Sequence, residues 1–163
     1  MTPMRIVLPA ILLAFAVAPA PVSVWAMGGD KDPPPAAVAK PVDVNYTEGK
    51  RAVDTGNWAG AVAALGRAVA ADPHNADAFN YLGYAHRKLG KYDEAFANYQ
   101  KALAINPEHK GAHEYIGEAY LEMNNLPKAE EHLKALDNIC LFSCKEYTEL
   151  KARVAEFKAK KSG

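Results

Sequence analysis

The chain has 163 residues, with 19 lysines and arginines against 19 aspartates and glutamates, and it contains two cysteines. Its length fits one globular domain or a short run of small repeats. The net charge of zero gives no basic face for a nucleic acid, and a hydrophobic share of 50% excludes general disorder.

The N-terminus has the form of a secretory signal peptide. Arg5 precedes an uncharged apolar run over residues 6–18, which is shorter than the roughly 20 apolar residues of a membrane span. Val24–Ala26 offers small residues at the two positions that a signal peptidase recognises. We therefore expect residues 1–26 to be removed and the mature protein to be exported without stable membrane insertion. An uncleaved membrane anchor is the alternative.

Residues 27–41 are rich in glycine and proline, with Gly28 and Gly29 together and a proline triplet over Pro33–Pro35. Because proline has no N–H and a fixed φ, this segment fits neither a helix nor a central strand. We expect it to be an extended linker between the signal peptide and the folded domain.

From residue 42 onward the sequence repeats with a period of 34 residues, the offset between Pro73 and Pro107. Small and bulky residues recur at this offset in three successive copies. The clearest columns are Gly49, Gly83 and Gly117; Ala61, Ala95 and Ala129; and Leu65, Tyr99 and Leu133. A 34-residue period with these residue types resembles the tetratricopeptide repeat. The resemblance divides the chain into repeats over residues 42–75, 76–109 and 110–143.

Each repeat carries apolar residues at three- and four-residue steps, which line one face of each of two helices. The predicted fold class is therefore all-α, and the resemblance implies a right-handed superhelical stack of three helix hairpins. The last hairpin must be covered by a terminal helix. Residues 144–163 fit that role, since Tyr147, Leu150, Val154 and Phe157 recur at helical spacing before a basic tail. We expect seven helices in all.

In this family the first helix of each pair lines the concave side of the array. The resemblance places there Tyr46, Lys50, Asp77, Asn80, Tyr84, Arg87, Lys88, Glu114, Glu118 and Glu122, with Asp43, Asp54 and Leu121. Mixed aromatic, basic and acidic groups suit an extended protein segment better than a small metabolite. Tyr84 with Arg87 and Lys88 is the strongest predicted binding patch, because tyrosine and arginine often anchor interfaces. The alternative is an ordinary solvated surface.

Some members of the family bind chaperone C-termini through a clamp of lysines and asparagines. Four of the clamp columns hold Tyr46, Tyr81, Gly111 and Tyr115 in this sequence. The resemblance therefore does not carry that clamp over to this chain.

Cys140 and Cys144 lie between the third repeat and the predicted cap. An even number of cysteines in an exported protein favours a disulfide, which would hold the cap on the array. Two alternatives are a redox-active dithiol and a soft metal such as Cu(I) bound by both thiolates with His132. The segment Ile139–Tyr147 resembles small exported tetratricopeptide proteins of proteobacteria, which implies a periplasmic location.

No sequence motif predicts catalysis, because the chain lacks a Gly-rich phosphate loop, a nucleophile elbow and a paired histidine–glutamate zinc motif. We predict a non-catalytic periplasmic adaptor without a cofactor, which holds a segment of an exported or membrane protein in its groove. The alternative is a metal or thiol-redox accessory protein that uses Cys140 and Cys144. Self-association of the array, end to end, remains open.

Overall fold

The computed structural model describes residues 43–162, which form seven helices and no strand. The helices are α1 Val44–Asp54, α2 Trp58–Ala71, α3 Ala76–Lys88, α4 Tyr92–Ile105, α5 Lys110–Glu122, α6 Leu126–Ile139 and α7 Lys145–Ser162. The all-α prediction with seven helices is therefore confirmed. The predicted signal peptide and linker lie outside the described residues.

Short polar residues begin most of these helices. The side chains of Asn57, Asn75 and Asn125 each accept a hydrogen bond from a backbone N–H in the first turn of the helix that follows. Within the hairpins the chain reverses through left-handed residues, which are Gly90 (φ 74°) in the second and Asn124 (φ 58°) in the third. Glycine and asparagine adopt this conformation with the least strain. Local sequence thus sets where each helix starts and stops.

The helices pack as successive antiparallel neighbours, in the pairs α1–α2, α3–α4 and α5–α6. Alanines and one glycine let the helices of the second pair approach closely. A Cβ atom at Gly83 would lie 2.7 Å from the ring of Tyr99 and 3.0 Å from the carbonyl oxygen of Ala95. Tyr99 and Ala95 are fully buried. The small residue at this repeat position therefore exists to admit the bulky side chain of the partner helix.

The last helix, α7, covers α5 and α6. Leu150 and Val154 are its buried residues, and they pack with Leu136, Ala129 and Leu121 of the third hairpin. A terminal hairpin would otherwise expose its apolar face to water. None of the helices described over residues 43–162 is long and apolar enough to cross a lipid bilayer.

Candidate functional site

Four half-buried tyrosines lie across the first helices of the three hairpins. Tyr46 of α1 is 6.2 Å from Tyr81 of α3, and Tyr84 of α3 is 4.6 Å from Tyr115 of α5, measured between ring centroids. Their side chains remain partly accessible. We call these four residues the tyrosine strip. Together they form an aromatic surface that extends over α1, α3 and α5.

Cationic and aromatic groups border the tyrosine strip. The ammonium group of Lys50 lies 5.8 Å from the ring centre of Tyr81. Trp58 of α2 meets the ring of Tyr84 edge-on at 5.6 Å, and Lys88 lies 5.6 Å from the Trp58 ring. Cations at exposed sites are attracted to ring faces by about 0.5–1 kcal/mol. The border therefore adds exposed positive charge to the aromatic surface.

Three phenol groups of the strip have raised pKa values and keep their protons at neutral pH. Burial raises the pKa of Tyr46 to about 12, and nearby Asp77 adds to the effect. Burial also raises the pKa of Tyr84 and of Tyr115 above the ordinary phenol value. Each hydroxyl can thus donate one hydrogen bond as well as accept one. Such a surface combines apolar contact with polar recognition.

Arg87 is buried rather than open to the groove. Its guanidinium donates to Glu118 at 2.6 Å and to Glu122 at 3.0 Å, and its central carbon lies 5.1 Å from the ring centre of Tyr84. Only 5% of the residue is exposed. Two charge-assisted bonds in a desolvated position tie α3 to α5. In the free protein Arg87 therefore supports the strip from beneath, and the predicted patch keeps only Tyr84 and Lys88 at its surface.

Two more of the sequence-predicted groove residues are buried, Asn80 where α3 meets α5 and Glu114 where α5 meets α7. Asn80 faces the start of α5 with its amide close to Gly111, and its Oδ1 has no protein hydrogen-bond partner. Glu114 of α5 faces α7. Burial, together with a hydrogen bond to Glu149, raises the pKa of the Glu114 carboxyl to about 8. Both side chains therefore join neighbouring helices.

Apart from Leu121, which is buried in the core, the remaining predicted groove residues are at least partly exposed. Lys50 pairs with Asp54 at 3.2 Å on the surface of α1. Asp77 lies 3.1 Å from the Nε2 atom of His109, and this hydrogen bond lowers the pKa of the Asp77 carboxyl. Asp43 accepts backbone hydrogen bonds at the start of α1 and thus serves as a helix cap.

An open cleft of about 150 Å³ lies where α5 meets α7. It is lined by Glu118, Leu121, Glu122, Arg153, Glu156, Phe157 and Lys160. The carboxylates in it already face cations, since Arg153 lies 3.7 Å from Glu118 and Arg87 bonds both Glu118 and Glu122. The cleft extends the surface of first helices onto the cap.

The two cysteines are joined in a disulfide, with their Cα atoms 5.6 Å apart, between α6 and α7. The expected bridge at the start of the cap is therefore present. Leu141 and Phe142 inside this small loop are 85% and 99% exposed. The redox interpretation of the pair stays a prediction.

The alternative copper site made of His132 and both cysteines stays a prediction. In the structure the two sulfur atoms are bonded to each other, and His132 points at His113 and stacks on Tyr120. Among residues 43–162, no group of three or more histidine, cysteine, aspartate or glutamate side chains is placed to hold a metal ion.

Two family models described as tetratricopeptide repeat match the sequence, over residues 46–110 and 86–154. Together they span about two thirds of the chain. The chain therefore carries tetratricopeptide repeats over residues 46–154. A search of curated protein sequences finds no significant match.

Solved structures share this fold. The TPR2B domain of yeast Sti1, in a complex with pHsp70, is 23% identical, with a TM-score of 0.62 over 69% of this chain and 94% of that one. The Yersinia enterocolitica type III secretion chaperone SycD, with a peptide of the translocator YopD, is 21% identical, with a TM-score of 0.61 over 72% and 92%. The second such domain of human RPAP3, with an HSP70 peptide, is 20% identical, with a TM-score of 0.60 over 68% and 92%. At these identities the likeness concerns the fold.

Sequence reasoning named Tyr46 and Tyr84 as groove residues but missed Tyr81, Tyr115 and Trp58 as parts of the same surface. Tyr81 and Tyr115 were visible as the occupants of clamp columns. Their aromatic character at columns that face the concave side was the available signal. Trp58 belongs to a second helix, and only packing brings its ring to Tyr84.

Proposed function

We propose that this protein is a non-catalytic adaptor of the periplasm, which binds an extended segment of another exported or membrane protein against the tyrosine strip. The observation that carries the proposal is that two pairs of tyrosines bridge successive first helices. Tyr46 meets Tyr81 between α1 and α3, Tyr84 meets Tyr115 between α3 and α5, and all four side chains stay partly accessible.

The chemistry of the strip favours a polypeptide ligand. Tyrosine rings offer apolar area at low conformational cost, and neutral hydroxyls can bond a peptide backbone. Lys50 and Lys88 add positive charge at either side of the aromatic surface. A partner segment with apolar or aromatic side chains beside acidic ones would complement both features.

Related folds support the same class of ligand. SycD was solved with a peptide of YopD, the RPAP3 domain with an HSP70 peptide, and the Sti1 domain in a complex with pHsp70. The lysine and asparagine clamp columns differ here, so we propose a different segment from those that chaperone-binding members recognise. The signal peptide predicted over residues 1–26 supports the location.

Site-specific cross-linking in the native host tests the proposal. A photoreactive benzoylphenylalanine replaces Tyr84 in one variant and Gln100, which is exposed on α4, in a matched control. We expect a discrete protein adduct from position 84 in the periplasmic fraction and none from position 100. The intact mass of the unlinked protein in the same fraction should correspond to a chain that begins at Met27.

A second substitution makes the test specific for the strip. Tyr46→Ala should reduce the yield of the adduct from position 84 by about tenfold, because truncating an aromatic anchor typically costs more than 1 kcal/mol of binding free energy. Circular dichroism checks that the variant is folded. Equal adducts from both positions, or an adduct indifferent to Tyr46→Ala, would contradict binding at the strip.

A further inference from the structure

Two histidines meet in the third hairpin, away from the tyrosine strip. The Nδ1 atom of His113 on α5 lies 3.0 Å from the Nδ1 atom of His132 on α6. The two rings are inclined at 46° with centroids 5.2 Å apart. Both side chains are half-buried. Neither residue has a role in the function proposed above.

Hydrogen bonding defines which nitrogen of each ring carries a proton. The Nε2 atom of His113 lies 2.9 Å from the carbonyl oxygen of Pro107, which can only accept. In a neutral His113 the Nε2 atom is therefore the N–H, and Nδ1 carries a lone pair. That lone pair accepts the Nδ1–H of His132. The inner nitrogens thus form one hydrogen bond between two neutral imidazoles.

The separation of the two inner nitrogens also approaches that found in a metal-binding histidine pair. Two nitrogens bound tetrahedrally to one ion at roughly 2.0–2.1 Å stand about 3.3 Å apart, close to the observed 3.0 Å. Metal-binding histidines usually donate their other N–H to a carbonyl or carboxylate, as His113 does to Pro107. The backbone therefore already fixes one ring in a ligand orientation.

A ring contact holds His132 in place on its own side of the pair. Tyr120 stacks on it with ring centroids 5.9 Å apart and the rings 28° from parallel. The contact limits rotation of the His132 ring, which keeps its Nδ1 atom opposite His113.

We propose that His113 and His132 form a binding site for one divalent first-row transition-metal ion, held by both Nδ1 atoms between α5 and α6. His132 then carries its proton on Nε2 instead of Nδ1, so that the tautomer changes and no net proton is released. Water completes the coordination of the ion. Imidazole nitrogen suits zinc, copper and nickel in this role.

Calorimetric titration of the tag-free full chain with Zn²⁺, in a buffer that does not bind metals, tests the proposal. We expect one ion per chain with little net proton release at neutral pH. His113→Gln and His132→Phe should each weaken binding by at least about tenfold, the scale on which metal sites respond to altered ligand surroundings. His74→Ala is the control, because His74 is an exposed loop histidine.

Nuclear magnetic resonance of the unsubstituted chain gives a second measurement that does not depend on the folding of variants. Added Co²⁺ should shift or broaden the imidazole signals of His113 and His132 before those of the other three histidines. No binding up to millimolar Zn²⁺ would overturn the proposal. Unchanged affinity in a folded His113→Gln or His132→Phe variant, or Co²⁺ effects centred on other histidines, would overturn it equally.

Discussion

The second and third hairpins both have a glycine at the same repeat position, but different helices fill the space beside it. Beside Gly83 this space holds the ring of Tyr99, from the partner helix of the same hairpin. Beside Gly117 it holds the side chain of Leu150, from the capping helix α7. Leu133 occupies the Tyr99 column and is only half-buried. In the third hairpin, α7 thus supplies the bulky side chain beside the glycine, whereas in the second hairpin the partner helix α4 supplies it.

The polar contacts between α3 and α5 also differ from those between α5 and α7. Arg87 joins α3 to α5 by bonding two carboxylates of opposite charge. Between α5 and α7, in contrast, Glu114 faces Glu149, and the negative charge of Glu146 also raises the pKa of the Glu114 carboxyl. The α3–α5 contact buries an arginine between two carboxylates, whereas the α5–α7 contact also brings two carboxyl groups together, and these need a proton to avoid repulsion. The comparison shows that the glycine position repeats while its bulky neighbour and the charged contacts differ between the hairpins.

The largest expected effect comes from emptying the space beside Gly117. Leu150→Ala should lower the free energy of unfolding by about 3 kcal/mol, because it leaves a cavity in a fully buried position. Leu133→Ala is the matched control and should cost about 1 kcal/mol, since that side chain keeps partial solvent contact. Urea unfolding measures both. A larger loss for Leu133→Ala would show that the third hairpin is completed by α6 after all.

The next effect separates the two glycines. Gly83→Ala should destabilise by about 2 kcal/mol, because the new Cβ meets both a ring and a backbone oxygen. Gly117→Ala should cost about 1 kcal/mol, since the flexible Leu150 side chain can move aside. Gly66→Ala, in open space on α2, should instead stabilise by about 0.5 kcal/mol through helix propensity. Thermal and urea unfolding of the three variants would refute this order if Gly117→Ala were the costlier.

A smaller effect depends on pH. The pKa of Glu114 is about 8 in the folded protein, against the ordinary value of 4.5, which applies to the unfolded chain. Between these two pH values the folded chain therefore binds more protons than the unfolded chain. Stability therefore falls as the pH rises from about 4.5 to about 8. Glu114→Gln removes this loss of stability. At alkaline pH the free energy of unfolding of the variant should exceed that of the unsubstituted chain by about 1.5 kcal/mol, a value reduced because solvent near Glu149 screens the repulsion.

The control for that measurement is Glu108→Gln, which alters an exposed carboxyl before α5. Its stability should follow the pH profile of the unsubstituted chain from pH 5 to pH 9. At the acidic end Glu114→Gln should differ little from both, because Glu114 is protonated there. If the Glu114→Gln profile ran parallel to the others over the whole range, the α5–α7 seam would carry no proton-dependent contact.

Much of the architecture was predictable because it depends on local or periodic signals. The left-handed Gly90 and the apolar steps of the cap act within one or two turns of helix, and the 34-residue period repeats such local signals along the chain. The candidate site was predictable only in part. Tyr84 is partly exposed as predicted, whereas Arg87 is buried against α5 and Glu114 against the capping helix α7. The position of a residue within the repeat predicts which face of the helix it occupies. How deeply its side chain is buried depends on how closely the neighbouring helix packs.

The number of helices, their order and the residues on each face follow from local sequence, because helix periodicity and capping are properties of neighbouring residues. Tertiary packing, in contrast, places Leu150 in the space beside Gly117 and His113 against His132. These contacts join residues far apart along the chain, and they depend on the distance and angle at which whole helices pack. No local pattern encodes that geometry, since it results from the fit of all side chains in the stack at once.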